Sequence, residues 1–255
     1  MQLEYCYHTH TSRCGHAIGL DEEYVLSAIK LGIKRLGFSD HVFLPGIIQE
    51  GIRGNYSLLD DYLSSINKLK EKYKDQIEIL VGFEAEYLPN FVNYYKELLD
   101  SQKIDYLILG QHLYSDSNNQ LHWFGVADTE KYFSNLIKGI KTGLFSYVAH
   151  PDIFMNSHYL FDSQLYDLSK RLLEVCQMYH IPLEINLGGY RAHRRYPCVD
   201  FFKLASLYDV EFVIGVDAHS PKDFNEDDLV FLEHFIDITG VKEKVLFNYK
   251  LKKVK

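Results

Sequence analysis

The chain has 255 residues, 47% hydrophobic and 24% charged, which excludes an intrinsically disordered or low-complexity protein. Acidic residues outnumber basic ones 35 to 27, a formal charge of −8, which weighs against a dedicated nucleic-acid binder because such a protein needs a basic face to displace counterions. No apolar run approaches the ~18 residues of a membrane span, the start Met1-Gln2-Leu3-Glu4-Tyr5 carries no secretory pattern, and Cys6, Cys14, Cys176 and Cys198 form no CxxC pair, so the expectation is a cytoplasmic protein with no membrane partner.

In chain order, short runs rich in Val, Ile, Leu, Phe and Tyr alternate with amphipathic stretches. A strand at Leu3–Tyr7 is followed by a helix over Asp21–Gly32, which opens with an acidic turn and stops at glycine. Next come a strand at Arg35–Ser39 and a helix over Ser57–Lys74, with Leu58, Leu59, Tyr62, Leu63, Ile66, Leu69 and Tyr73 at helical spacing. The series continues with strand Ile77–Phe83, helix Pro89–Gln102, strand Tyr106–Leu109, helix Asp128–Thr142, strand Ser146–Ala149 and helix Asp162–His180. It closes with strand Pro182–Asn186, helix Pro197–Tyr208, strand Glu211–Val216, helix Pro221–Thr239 and a last short strand at Val245–Tyr249. Repeated β–α alternation predicts a parallel sheet with helices outside. No linker divides the chain, so one domain over 1–255 is expected.

The histidines sit where these strands end. The first strand ends in His8-Thr9-His10, with His16 in the loop behind it; the second ends in Asp40-His41 and the third in Glu84. His112, His150 and the pair Asp217/His219 follow later strands. Residues i and i+2 of a strand share a face, so His8 projects with His10 and Asp217 with His219. Side chains from many strand ends converge only when those strands share one rim, which favours a closed barrel over an open sheet. Seven histidines and two carboxylates are too many for one ion and suit two or three, with a carboxylate as bridge. Clustered ions of this kind activate water and neutralise a phosphoryl group. His122, His158, His180, His193 and His234 are not so placed.

At these residues the chain resembles the polymerase-and-histidinol-phosphatase (PHP) family of metal-dependent phosphoesterases. His8-Thr9-His10-Thr11-Ser12 through Gly15-His16-Ala17 is similar to that family's first motif, and Ser39-Asp40-His41 to its second. Gly82-Phe83-Glu84, Gly110-Gln111-His112, Ala149-His150-Pro151 and Asp217-Ala218-His219 match the later motifs in order, so the resemblance spans nearly the whole chain. Length and flanking residues are most similar to the family's stand-alone bacterial histidinol-phosphate phosphatases. The resemblance implies a distorted (β/α)7 TIM-like barrel with three divalent metal ions (Mn, Fe or Zn). By position, one ion takes His8, His10, Glu84 and Asp217; a second takes Glu84, His112 and His150; the third takes His16, His41 and His219. Gln111 and the following His112-Leu113-Tyr114 depart from the pattern of many relatives on the substrate-facing side.

The implied activity is hydrolysis of a small phosphate monoester, L-histidinol phosphate, by a metal-bridging hydroxide held with Glu84 and Asp217. In relatives an arginine soon after the strand-six Asn-x-x-Gly stretch contacts phosphate, and Arg191 matches that place, while Arg194 and Arg195 read as solvated loop charges. Arg53, in the long loop Val42–Tyr56 with Gly46, Gly51 and Gly54, is a second candidate phosphate contact. Glu86, on the face of Glu84, either binds a substrate ammonium or pairs with a rim cation. Tyr114 is expected near the pocket, and Tyr5 and Tyr7, opposite His8 and His10, under helices. No general acid is identified; Asp152 and His193 are unligated titratable groups near the rim. A broad monoesterase, a nucleotide phosphatase and a phosphotyrosine phosphatase stay open as alternatives, because one metal core serves all of them. A structural metal site needs only four closed ligands, so the full set argues against a mere binding module.

Overall fold

The computed structural model describes residues 2–251. Met1 and residues 252–255, which the one-domain expectation also spans, lie outside the described residues. Strands β1 (Tyr5–Cys6), β2 (Arg35–Phe38), β3 (Glu78–Ala85) and β4 (Tyr106–Leu109) form one parallel sheet in that order. Their registers pair Tyr5 with Arg35, Arg35 with Glu78 and Gly82 with Tyr106. The hairpin β5 (Leu113–Ser115) and β6 (Leu121–Trp123) follows, then the parallel pair β7 (Leu183–Asn186) and β8 (Phe212–Gly215).

The expected strand at residues 146–149 survives as single bridges, in which Val148 joins Leu109 on one side and Leu183 on the other. It still carries the sheet from β4 to β7, through Ala149 N to Leu109 O at 2.9 Å and Glu184 N to Val148 O at 2.9 Å. The barrel closes where Thr9 bridges Ala218. At the opposite end the seam is wedged open by the C-terminal segment, with Leu246 N bonded to Phe212 O at 2.8 Å and Glu4 N to Phe247 O at 3.4 Å. That wedge is the predicted last strand; it is reduced to one bridge, Phe212 to Val245. The result is a distorted α/β barrel of TIM type.

Tyr5 and Tyr7 do not simply pack under helices. Their hydroxyls donate to Leu246 O at 2.7 Å and Tyr249 O at 2.9 Å, replacing ladder bonds that the seam lacks. Tyr106 donates to Tyr7 O and Phe38 O, and its ring occupies the space that side chains at Gly37 and Gly82 would take. These glycines are therefore fixed by a close approach, not by a turn.

Helices α1 (Asp21–Leu31), α2 (Leu59–Tyr73), α3 (Val92–Asp100), α4 (Thr129–Thr142), α5 (Ser163–Tyr179), α6 (Leu187–Arg191), α7 (Val199–Ala205) and α8 (Asp227–Thr239) connect the strands. Gly32 ends α1 at φ 86°, as its position suggested. Asp162 caps α5 by accepting from Leu165 N at 2.9 Å. The predicted helix Pro221–Thr239 splits, because Ser220 and Asp223 close a capping box around Pro221–Asp223 and Phe224 leaves the helical region. Helix α6 replaces an expected loop. Asn186 caps it by accepting from Gly189 N at 2.8 Å, while Gly188 and Gly189 mask its helical character in the sequence. Among the described residues no helix is long and apolar enough to cross a membrane.

Candidate metal centre

The C-terminal ends of the strands open on a cavity of about 690 Å³. His10, His16, His41, Glu84, His112, His150, Asp217 and His219 line it, and His8 is buried directly behind. All nine residues of the proposed ligand set therefore meet at one rim.

Glu84, near the end of β3, is the hub. Its Oε2 lies 3.5 Å from His8 Nε2, 3.5 Å from His10 Nε2 and 3.0 Å from His41 Nδ1. Its Oε1 lies 2.6 Å from His150 Nε2 and 3.5 Å from His112 Nε2. One carboxylate thus presents each oxygen to a different set of imidazoles, which is the geometry of a bridge. Asp217 Oδ1 stands 3.4 Å from His8 Nε2 and 3.3 Å from His10 Nε2. Four donors ~2.1 Å from a common centre in a tetrahedron stand ~3.4 Å apart, so the His8, His10, Glu84 and Asp217 donors match a single-ion cradle. His8 Nε2, His10 Nε2 and Glu84 Oε2 are buried without a hydrogen-bond partner, an arrangement a bound cation resolves.

His16 and His219 pair at 3.0 Å between Nε2 atoms on the open side of the cavity. His41 lies with its ring centre 4.7 Å from that of His10 and 5.6 Å from that of His16, so it faces both the Glu84 hub and the His16/His219 pair. Cys14 also comes within reach of His10 and His219. Burial pushes its thiol up to about 12, so without a bound cation it keeps its proton.

Charge follows the same plan. Burial opposes ionisation of Glu84, but the neighbouring imidazoles, His112 and His8 among them, outweigh it and hold the carboxyl well below its ordinary range. Asp217 is likewise held down against burial by His8, His10 and His219. Burial pushes His41 down to about 4 and, together with His219, lowers His10, whereas against burial Glu184, Asp217 and Glu84 raise His8 and Glu84 and Glu86 raise His112, so a bound ion would displace protons from those two. Ionised carboxylates and neutral imidazoles are the forms that bind metal. Two of the nine residues have left-handed backbones, His150 at φ 28° and Asp217 at φ 50°, as expected where the chain is bent to aim a functional side chain.

A supporting layer comes from β7, which carries none of the nine candidate ligands. Glu184 Oε1 accepts from His8 Nδ1 at 2.8 Å, and Oε2 accepts from His150 N and from Asn186 Nδ2, each at 2.8 Å. Asn186 Nδ2 also donates to Asp217 Oδ2 at 3.2 Å. The Nδ1–H bond fixes the His8 tautomer that leaves Nε2 bare for a metal. Side chains at Gly110, Gly188 and Gly215 would overlap Glu84, Asp217 and Glu184, so three glycines make room for three carboxylates. The sequence signal was present, since Glu184 and Asn186 alternate on one face of an apolar strand.

Glu184→Gln is expected to lower metal affinity ~10–100-fold while the fold persists. Two donors converge on Oε2, so the amide turns its oxygen there and its NH2 toward His8. Nδ1 must then accept, the proton moves to Nε2, and the ligand is lost. Equilibrium dialysis against Zn alongside circular dichroism checks this; undiminished affinity rejects the supporting role.

The remaining candidates separate. Arg191 lines the cavity, but its guanidinium is engaged by Asp228, by Val216 O and by Asp217 O at 3.1 Å. It braces the backbone of Asp217 instead of presenting an open fork. Arg53 is buried away from the cavity and ion-paired to Glu86 at 2.8 Å, which corrects its placement as a substrate contact. Glu86 is therefore the rim-pairing carboxylate of the two readings, held at about 2 by Arg53 against burial. Tyr114 turns away and packs against Phe124, ring centres 5.0 Å apart, with Lys131 Nζ 3.8 Å above its ring. Asp152 is buried, accepts from Cys198 N at 2.5 Å and is pushed up to about 7 by burial, and His193 is exposed at φ 52°; neither lines the cavity. The exposed Arg194 and the buried Tyr196 do line it, and the sequence reading had set Arg194 aside.

The PHP domain family matches residues 7–188. A Deinococcus radiodurans protein named "Probable histidinol-phosphatase" is 27% identical over 225 residues, covering 84% of this chain and 85% of that one. The histidinol-phosphatase of Bacillus subtilis is 24% identical over 261 residues, covering 89% and 97%. Among solved structures, the histidinol phosphate phosphatase of Lactococcus lactis subsp. lactis, complexed with zinc, L-histidinol and phosphate, aligns with a TM-score of 0.70 at 19% identity, over 94% of this chain and 95% of that one. With the family's domain matched over most of its length and the metal-type residues gathered on the barrel rim, the chain belongs to the PHP family.

Proposed function

We propose that this chain is a metal-dependent phosphoric monoester hydrolase whose substrate is L-histidinol phosphate and whose products are L-histidinol and phosphate. The observation that carries the reading is the Glu84 hub, where buried, unpartnered imidazole and carboxylate donors stand at metal-ligand spacing in a cavity that opens to solvent. The relatives' names supply the substrate. Three divalent ions (Mn, Fe or Zn) fit the donor set. One would be held by His8, His10, Glu84 and Asp217, a second by Glu84, His112 and His150, and a third by His16, His41 and His219. When bound, such ions neutralise phosphoryl charge and lower the pKa of a coordinated water toward neutrality.

The chain's own residues do the rest. Glu84 and Asp217 hold the ions in register, and Arg191 locks the strained turn at Asp217 through its backbone carbonyl. Arg194, exposed at the cavity wall, offers a guanidinium fork to non-bridging phosphate oxygens. Tyr196 keeps its proton, because burial and then Asp217 push its hydroxyl up, and so provides a neutral donor beside the site. The whole chain acts as one domain.

The test is kcat/KM for L-histidinol phosphate against p-nitrophenyl phosphate with Mn-reconstituted protein. A preference of ~10³-fold or more, ~4 kcal/mol of transition-state stabilisation, is the expected result. Similar slow rates on both keep the phosphoesterase and remove the substrate. Proteins of Aliivibrio fischeri and Vibrio vulnificus named "Probable phosphatase", 26% and 23% identical to this chain, support that second reading.

A further inference from the structure

Beside the metal cavity lies a smaller one of about 170 Å³. His112, Trp123, Ile153 and Asn156 line both, so the two cavities are neighbours that share this wall. At ~30 Å³ per water this is the room of five or six waters, which suits one five-membered ring. Its walls are flat. Trp123, at the end of β6, is 58% exposed and stands at the junction. Phe124 packs edge-on to Tyr132 at 5.4 Å, and Tyr132 lies 5.7 Å from Phe154.

Among the polar lining residues Gln111 is engaged by Tyr87 N and Leu113 O, and two others have a defined hydrogen-bonding role. Thr129 Oγ1 donates to Val126 O at 2.6 Å, so its lone pairs accept from His158 Nε2–H at 2.9 Å. That bond fixes the His158 tautomer and leaves Nδ1 as an acceptor. Asn156 Oδ1 accepts from Arg195 N at 3.4 Å, which leaves its Nδ2 hydrogens to donate. The His158 acceptor and the Asn156 donor, set between aromatic walls, complement a small planar ring that carries one N–H and one bare nitrogen.

We infer that this side pocket, built from the β5–β6 hairpin and the 153–158 turn, binds the azole ring of the departing alcohol and is the specificity element of the enzyme. The inference rests on the phosphatase reading and assigns its leaving-group end. None of the pocket's distinguishing residues is a ligand of the metal set, so the chemistry and the selection are separable.

Trp123 is the chain's single tryptophan, so its emission reports this pocket directly. Titrating the Zn-loaded protein with L-histidinol is expected to change that emission saturably, and His158→Phe is expected to raise the apparent Kd at least 10-fold. In parallel, the ratio of kcat/KM for L-histidinol phosphate to that for phosphoethanolamine, an amino-alcohol ester without a ring, is expected to fall at least 10-fold in His158→Phe and in Trp123→Ala. If His158→Phe does not fold, Thr129→Val, which removes the acceptor that sets the tautomer, gives the same reading. Hydrolysis of L-histidinol phosphate with no emission response, or a ratio within twofold of wild type, overturns the pocket and leaves the phosphatase reading standing. An emission response in a protein that hydrolyses no L-histidinol phosphate supports the pocket and removes the substrate. An equal response to phenol overturns the azole assignment, and no response together with no hydrolysis overturns both.

Discussion

Glu84→Gln is expected to lower kcat on phosphate esters by at least ~10³-fold, ~4 kcal/mol, and to reduce the bound metal. The substitution preserves shape and volume. It removes the charge that five imidazoles face within 3.5 Å and leaves an NH2 where one of the two oxygens stood. An amide NH2 repels a cation, so whichever way it turns, one of the two donor groups loses its shared ligand. Metal analysis of the purified variant and single-turnover hydrolysis give separate readouts. Near-full activity with a full metal complement rejects Glu84 as the bridge. Gly110→Ala acts on the same hub without replacing a ligand, because its methyl would overlap the Glu84 carboxylate and displace it.

The second large effect falls on stability. Arg53 and Glu86 are both buried, 2.8 Å apart, and Arg53 also donates to Gln49 Oε1 at 2.6 Å and Val42 O at 2.9 Å. Arg53→Met leaves the buried Glu86 carboxylate without its guanidinium partner, and loss of one partner of such a pair costs ~3–5 kcal/mol. The double variant Arg53→Met/Glu86→Met removes both charges and is expected to recover most of that loss. Urea unfolding of the three proteins measures the cycle. A single variant as stable as wild type shows that the pair holds nothing in place. The pair also tethers the loop that places Gly51 and Ile52 on the cavity wall. Its Glu86 lies 3.7 Å from His112, so the single variant is expected to loosen the rim as well.

Much of the fold was legible because its signals are local. Each strand is a short apolar run, each helix carries its own caps and periodicity, and β–α alternation leaves few arrangements. The errors share a cause. The strand at 146–149 and the last strand are reduced to bridges because their partners meet them at only one or two residues. The hairpin after β4 was passed over because its strands are three residues long and its turn is held by the Asp116 side chain, which accepts from Asn118 N and Gln120 N. Helix α6 was hidden by Gly188 and Gly189, whose packing against Asp217 and Tyr196 is tertiary.

The sequence by itself determined the candidate ligands and the rim on which they meet. A histidine or carboxylate directly after a parallel strand is carried to that rim by the strand alone, whatever the rest of the chain does. Only the tertiary structure decided which charged groups face the cavity and which support it. Arg53 and Arg194 are alike in sequence, yet one is sealed against Glu86 and the other lines the cavity. Glu184 orients His8 across 176 positions of chain. Burial and pairing are properties of contacts between distant segments, and periodicity within one segment does not encode them.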